Sequence, residues 1–225
     1  MHKGVYIDFH THRPSTYKED VIAITCIAPS EGNTSHDQFF TAGIHPWHAN
    51  IKSIDNDVGK LMNLTSNRLF VGVGEIGLDT LKGPRLEEQV DVFVKQVDFA
   101  VNNSKPIVIH CVKAWDELLS AVKEVPKHMP MAIHGFNGSA QLAMQLVEKG
   151  FHLSVGGLLL DSKSKVSQAL SIIPISRLFV ETDSSSVDIK RLYQAASDKL
   201  SITMEDLQIQ IVKNFTEFFN TSPLP

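Results

Sequence analysis

The chain has 225 residues, 43% of them hydrophobic, and a formal charge of −4. That length and apolar content suit one domain spanning residues 1–225 with a large core, since a domain usually takes about 100–200 residues and barrels run longer. The slight acidity excludes a broad basic footprint for nucleic-acid phosphates, so any anionic substrate has to be gripped locally.

In chain order, short β-branched runs alternate with longer amphipathic ones, the pattern of a parallel sheet covered by helices. The runs predict strands at 5–9, 21–28, 39–44, 69–73, 106–109, 131–133, 151–155 and 178–181. Between the fourth and fifth, residues 86–101 place Val90, Phe93, Val94, Val97 and Val101 at the spacing of one helix face. The last predicted helix carries Met204, Leu207, Ile211, Val212, Phe215 and Phe219 on a stripe, with Thr203 and Asp206 resembling a capping box. Repeated strand and helix units of this kind predict an α/β fold, a (β/α)8 TIM-type barrel, on a chain somewhat shorter than the typical ~250 residues. Cys26 and Cys111 fall inside apolar runs, with no spacing of a redox pair or zinc knuckle, and are read as core residues. No uninterrupted apolar segment is long enough for a bilayer, and no cationic-then-apolar stretch opens the chain, so a cytoplasmic protein with no membrane partner is expected.

Six side chains stand out because they follow five separate apolar runs. His10 and His12 end the first run, two residues apart, so on a strand both imidazoles point the same way. Glu75 follows the fourth run, His110 the fifth, His134 the sixth and Asp183 the eighth. In a (β/α)8 barrel the site lies at the carboxyl ends of the strands. Four imidazoles and two carboxylates gathered there without a cation would leave polar groups short of partners, at about 1–3 kcal/mol each. The expectation is therefore a metal centre. Six ligands exceed the three that a catalytic zinc usually takes, so two divalent ions are expected, zinc, manganese or magnesium. Glu75 would bridge them, with His10, His12 and Asp183 on one ion and His110 and His134 on the other. Such a pair lowers the pKa of a shared water, and Asp183 would orient that water, take its proton and pass it to the leaving group. Glu181, alternating to the other side of its strand, is expected to be structural.

The motifs that surround these residues resemble the TatD-type metal-dependent hydrolases of the amidohydrolase superfamily. The likeness rests on Asp8-Phe9-His10-Thr11-His12, Gly43-Ile44-His45-Pro46, Gly74-Glu75-Ile76-Gly77-Leu78-Asp79 and Pro106-Ile107-Val108-Ile109-His110. It continues through Ile133-His134-Gly135-Phe136-Asn137-Gly138 and Glu181-Thr182-Asp183, and covers most of the chain. It implies a (β/α)8 fold, a one- or two-metal site and phosphodiester hydrolysis, since the family is generally described as magnesium-, manganese- or zinc-dependent DNases. DNA, or a small phosphoester, is the expected substrate. Two segments depart from the family pattern, both where a substrate would bind. The family's arginine-bearing stretch after the fifth strand reads Cys111-Val112-Lys113-Ala114-Trp115, and Lys113 lacks the planar fork that grips phosphate bidentately. The proline- and tyrosine-containing loop after the terminal aspartate is replaced by Ser184-Ser185-Ser186-Val187-Asp188.

Other features need sorting. Gly72, Gly74 and Gly77 match a dinucleotide fingerprint in spelling, but Gly83-Pro84 soon after breaks any early helix, so no nucleotide cofactor is expected. The glycines are read instead as letting the backbone crowd Glu75 toward its ions. Asp8 shares the face of His10 and His12 and is read as fixing an imidazole tautomer. His45 ends the third strand at the site face, either to contact a substrate phosphate or to cap its loop. Asp79 either supports the site through a hydrogen bond or caps the next turn. His2, His36, His48, His128 and His152 are expected on the surface or in loops. Two other functions fit the same ligands: hydrolysis of an ester, lactone or cyclic amide, whose carbonyl the ions would polarise equally, and a metal-stabilised binding module without turnover.

Overall fold

All eight β-branched runs form strands: β1 (Tyr6–Thr11), β2 (Val21–Ile27), β3 (Phe40–Ala42), β4 (Phe70–Asp79), β5 (Ile107–Val112), β6 (Met131–Ile133), β7 (His152–Val155) and β8 (Leu178–Val180). This computed structural model describes residues 4–13, 20–31 and 38–222, so the expectations for His2 and His36 lie outside the described residues. The strands are ordered β1 to β8 in one sheet, and the recorded pairings are parallel. Helices α1 (Ile54–Leu64), α2 (Leu86–Asn102), α3 (Trp115–Ala121), α4 (Ala140–Glu148), α5 (Lys165–Ala169), α6 (Ile189–Leu200) and α7 (Met204–Phe219) fall between and after them. The alternation is the (β/α)8 arrangement predicted from sequence. Among the described residues no helix is long and apolar enough to cross a membrane. The chain divides into two compact units, Met1–Thr25 with Ala132–Pro225, and Cys26–Met131.

In the first unit, aromatic rings make the core. Phe9 of β1 stacks on Phe179 of β8 at 4.1 Å between centroids, and Phe218 of α7 meets both rings edge-on. α7 starts as its cap predicted: Thr203 Oγ1 accepts from the backbone N–H of Asp206 at 3.0 Å. α6 holds the start of β1, because the buried Tyr193 hydroxyl donates to the carbonyl of Ile7 and accepts from its N–H, each at 3.0 Å. His152 departs from its surface expectation. It is 8% exposed on β7 and packs against Phe179 and Phe218, because that position of the strand faces the α7 aromatic layer.

In the second unit, β4 runs past its predicted end at residue 73 to Asp79, pairing with β5 through Asp79 opposite Val112. Residues 74–79 look too glycine-rich for a strand, yet the glycines are what permit it. A Cβ on Gly74 would lie 2.6 Å from that of Val108, and one on Gly77, at φ +152°, would lie 1.9 Å from the carbonyl oxygen of His110. Packing of α2 onto β4 is rotated from the predicted stripe. Gln89, Val92, Phe93, Gln96, Val97, Phe99 and Ala100 are buried, whereas Val90, Val94 and Val101 are only partly so. Buried glutamines are tolerated because backbone groups of the strand ends satisfy their amides.

Candidate metal centre

In the first unit, β1 and the turn after it bring His10 and His12 together as alternation predicts. Their Nε2 atoms lie 3.3 Å apart, with His10 buried and His12 more than a third exposed. His134, just past β6, stacks obliquely on His10 at 4.2 Å between centroids. Asp183 lies three residues past β8, at a left-handed φ of 51°. Its N–H donates to the carbonyl of His10 at 2.9 Å and its own carbonyl accepts from the N–H of His12 at 3.3 Å. That backbone clamp sets the Asp183 Oδ1 3.5 Å from His12 Nε2, with the carboxylate 45% exposed. Four of the six predicted ligands thus converge.

Two buried carboxylates stand behind them. Glu181, fully buried, accepts on Oε1 from the N–H of Gly135 at 2.6 Å and lies 3.4 Å from His134 Nδ1. Burial would raise its pKa, but the bond and charge of His134 outweigh that and hold it below the usual carboxylate range. The alternation argument had turned Glu181 away from the ligands. Glu181 and Asp183 are two residues apart and so share a side by the rule applied to His10 and His12, and the Glu181 side chain, just past the end of β8 at Val180, backs a ligand imidazole. Asp8 also differs from expectation. Its two oxygens accept from the Thr182 N–H and hydroxyl at 2.8 and 2.6 Å, so it fixes the approach to Asp183 rather than an imidazole. Burial pushes the Asp8 carboxyl up to about 7 against those two bonds.

In the second unit, Glu75 lies within the extended β4 and is 3% exposed. His110 of β5 sets Nδ1 2.7 Å from Glu75 Oε1 and Nε2 3.4 Å from Asp79 Oδ2. A neutral imidazole has one N–H, so these two carboxylate-facing nitrogens are both satisfied only if the ring takes a second proton or a cation lies beside one of them. A cation beside Nδ1 and Glu75 meets that need and leaves Nε2–H to donate to Asp79, the carboxylate–histidine–metal arrangement of many metal sites. His45 Nε2 lies 3.1 Å from the same Glu75 oxygen, and the three ligand atoms lie within 4.8 Å of one another. Yet His45 Nδ1 accepts from the backbone N–H of Trp47 at 3.1 Å. The neutral ring therefore carries its proton on Nε2 and donates to Glu75, with no lone pair left for an ion. The donor set of buried carboxylate and imidazoles fits zinc, manganese or cobalt better than a hard-cation cage of oxygens.

Asp79 takes both roles that the sequence left open. Its Oδ2 accepts from Trp47 Nε1 at 2.6 Å as well as facing His110, and its Oδ1 caps the turn through the N–H of Leu81 at 2.8 Å. Burial would raise its carboxyl; the bonds from Trp47, Leu81 and His110 prevail and lower it. Two glutamines that sequence reasoning missed hold these groups in place. Gln96 accepts from the N–H of Ile44 at 2.7 Å and donates to its carbonyl at 3.1 Å, fixing the residue before His45. Gln89 does the same for Asp79, at 2.8 and 2.9 Å. Their spacing of seven on one helix was the available signal. Gly72, Gly74 and Gly77 lie inside β4, where close pairing with β5 requires the last two.

Comparison with known proteins gives a consistent result. The profile described as TatD related DNase matches residues 23–220. The 3'-5' ssDNA/RNA exonuclease TatD of Erwinia amylovora is 29% identical over 64% of this chain and 56% of its own length. An uncharacterized metal-dependent hydrolase of Haemophilus influenzae is 29% identical over 76% of this chain and 71% of its own length. Among solved structures, a TatD homologue from Escherichia coli superposes with a TM-score of 0.80, at 21% identity, over 96% of this chain and 98% of that one. That likeness establishes the (β/α)8 fold.

Proposed function

The chain belongs to the TatD-related DNase family of metal-dependent hydrolases, and from that premise we propose that it cleaves phosphodiester bonds in single-stranded DNA through two divalent ions. The ligands proposed for those ions are His10, His12, His134, Asp183, Glu75 and His110. When bound, the ions supply Lewis-acid chemistry, lowering the pKa of an attacking water and neutralising charge on the phosphoryl oxygens.

The protein's own residues have separate tasks. Glu181 and Asp79 fix the ring orientations of His134 and His110 by holding one nitrogen of each, so that the other is presented as a ligand. His45 donates to Glu75 and keeps that carboxylate oriented. Asp183 is the proposed proton acceptor: it is the exposed carboxylate of the set, beside His12, and its backbone is clamped on both sides by β1. A group that must meet a substrate proton has to combine that access with that rigidity. The observation that carries the reading is the His110 ring held between Glu75 and Asp79, two carboxylates that a neutral imidazole satisfies only with a cation at one of its nitrogens. The naming of the Erwinia relative as a single-strand exonuclease supports the choice of substrate.

The test is 5'-labelled single-stranded DNA incubated with magnesium, manganese or chelator, beside the Asp183→Asn variant. Metal-dependent shortening that the variant loses is the expected result. Full metal occupancy without cleavage would overturn the DNA substrate and turn attention to carbonyl substrates, for which the substituted segments at Lys113 and Ser184 become the relevant difference.

A further inference from the structure

Beside Glu75, His45 and His110 lies a large aromatic surface, the indole of Trp47, a residue whose two N–H groups support His45 and Asp79 while much of it stays exposed. Trp47 is 40% exposed although its indole is fixed on two sides. Nε1 donates to Asp79, and the ring meets His45 edge-on, 4.6 Å between centroids at 73°, with His110 at 6.1 Å. Lys82 Nζ sits 4.0 Å above the ring centroid, and the neighbouring Leu81 is 62% exposed. The loop that bears Leu81 and Lys82 is held against the Trp47 turn. Gln89 Nε2 donates to the carbonyls of Lys82 and Pro84 at 3.0 and 2.8 Å. Gly83, at φ +88°, lies so close that a Cβ there would be 2.8 Å from the Pro46 carbonyl oxygen and 2.9 Å from Trp47 Cα. Gln89 and the close approach at Gly83 thus hold the two loops together, the bond to Asp79 sets the ring, and the Lys82 amine rests over it.

We propose that Trp47 and Lys82 form a nucleotide platform, on which one base of the substrate stacks while Lys82 takes an adjacent phosphate. The inference rests on the phosphodiesterase reading and adds which part of the substrate is recognised. A rigid, exposed indole gives stacking area at little cost in conformational entropy, and stacking tolerates any base because each has a π-face. An exposed amine–indole contact is weak, so a base can replace the ammonium on the ring. The displaced ammonium then stands one short side chain from the phosphate that such a base carries. In an acidic protein this supplies the local grip on a polyanion that the overall charge does not.

The experiment compares wild type, Trp47→Ala and Trp47→Phe on dT10 and on the same oligonucleotide with one abasic position near its 3' end. Trp47→Ala and Trp47→Phe both lose the Nε1 bond to Asp79, so a change in kcat common to the two reports that bond, whereas Trp47→Ala should raise KM for dT10 about 10-fold above Trp47→Phe, as one base stack is worth by alanine substitution. Trp47→Phe should keep KM near that of wild type, and Trp47→Ala should cost little further on the abasic strand. Equal losses on both strands, or a fall in kcat alone, would overturn the platform and make Trp47 a support for His45 and Asp79. A second measurement does not depend on turnover. In chelator, dT10 should quench the wild-type tryptophan fluorescence by an amount that Trp47→Phe lacks. Absent quenching would overturn the platform; quenching without cleavage would keep it and overturn the hydrolytic reading.

Discussion

At the scale of single residues, proton placement decides most of what the site can do. Asp183→Asn keeps the shape of the side chain and its backbone clamp but removes the proton acceptor. It should lower kcat about 100-fold or more, the range usual for a positioned acid or base, with circular dichroism and thermal midpoint nearly unchanged. Activity within a few-fold of wild type would remove Asp183 from the mechanism. Glu75→Gln loses the charge proposed to be shared by the ions, so elemental analysis should find the bound metal falling from about two per chain towards one or none. Full occupancy would refute the bridging role. Away from the ligands, His152 gives a pH signature. Burial, with the charge of Arg177 behind it, lowers its pKa from the ordinary 6.5 to about 4, so the folded state refuses a proton that the unfolded chain accepts. The stability this preserves is complete above pH 6.5 and is lost as the pH falls from 6.5 to 4, by about 3 kcal/mol in all. The urea midpoint should decline less across that window in His152→Gln than in wild type; parallel declines would show that His152 titrates normally.

Among elements, the strand ends are held by polar side chains of the helices as much as by apolar packing. Tyr193 of α6 closes two bonds on Ile7 at the start of β1, and Gln96 of α2 closes two on Ile44. Tyr193→Phe leaves the Ile7 N–H and carbonyl buried without that partner and should cost about 1–3 kcal/mol in urea unfolding. A smaller loss would mean that water or a rearranged neighbour replaces the hydroxyl. Gly77 is the stricter position, since φ +152° and the nearby His110 carbonyl oxygen both oppose a side chain. Gly77→Ala should destabilise by about 3 kcal/mol or more, or yield no folded protein, because β5 and its His110 have to move away. These contacts were hardly legible in the sequence. A glutamine on a helix reads as a solvent-facing residue, and a glycine-rich stretch reads as a loop, until the partner backbone is known.

For the whole molecule, ion binding and folding should be linked, because donors drawn from separate strands are assembled only in the folded chain. Free manganese or zinc at about 100 times its Kd would add about 2.7 kcal/mol, some 5–10 °C in Tm for a chain of this size. A Tm indifferent to both metals in wild type would refute the centre. By itself the sequence determined the alternation of strands and helices, the (β/α)8 class, and six candidate ligands each following an apolar run. These are properties of period and local order, since a strand of β-branched residues and the polar group after it are written contiguously. Only the tertiary structure decided that Glu181 backs His134, that Asp8 serves Thr182, that His152 is buried and that His45 donates to Glu75. Each of those depends on which group from a distant part of the chain meets the side chain, and on which ring nitrogen still has a lone pair once its hydrogen bonds are made.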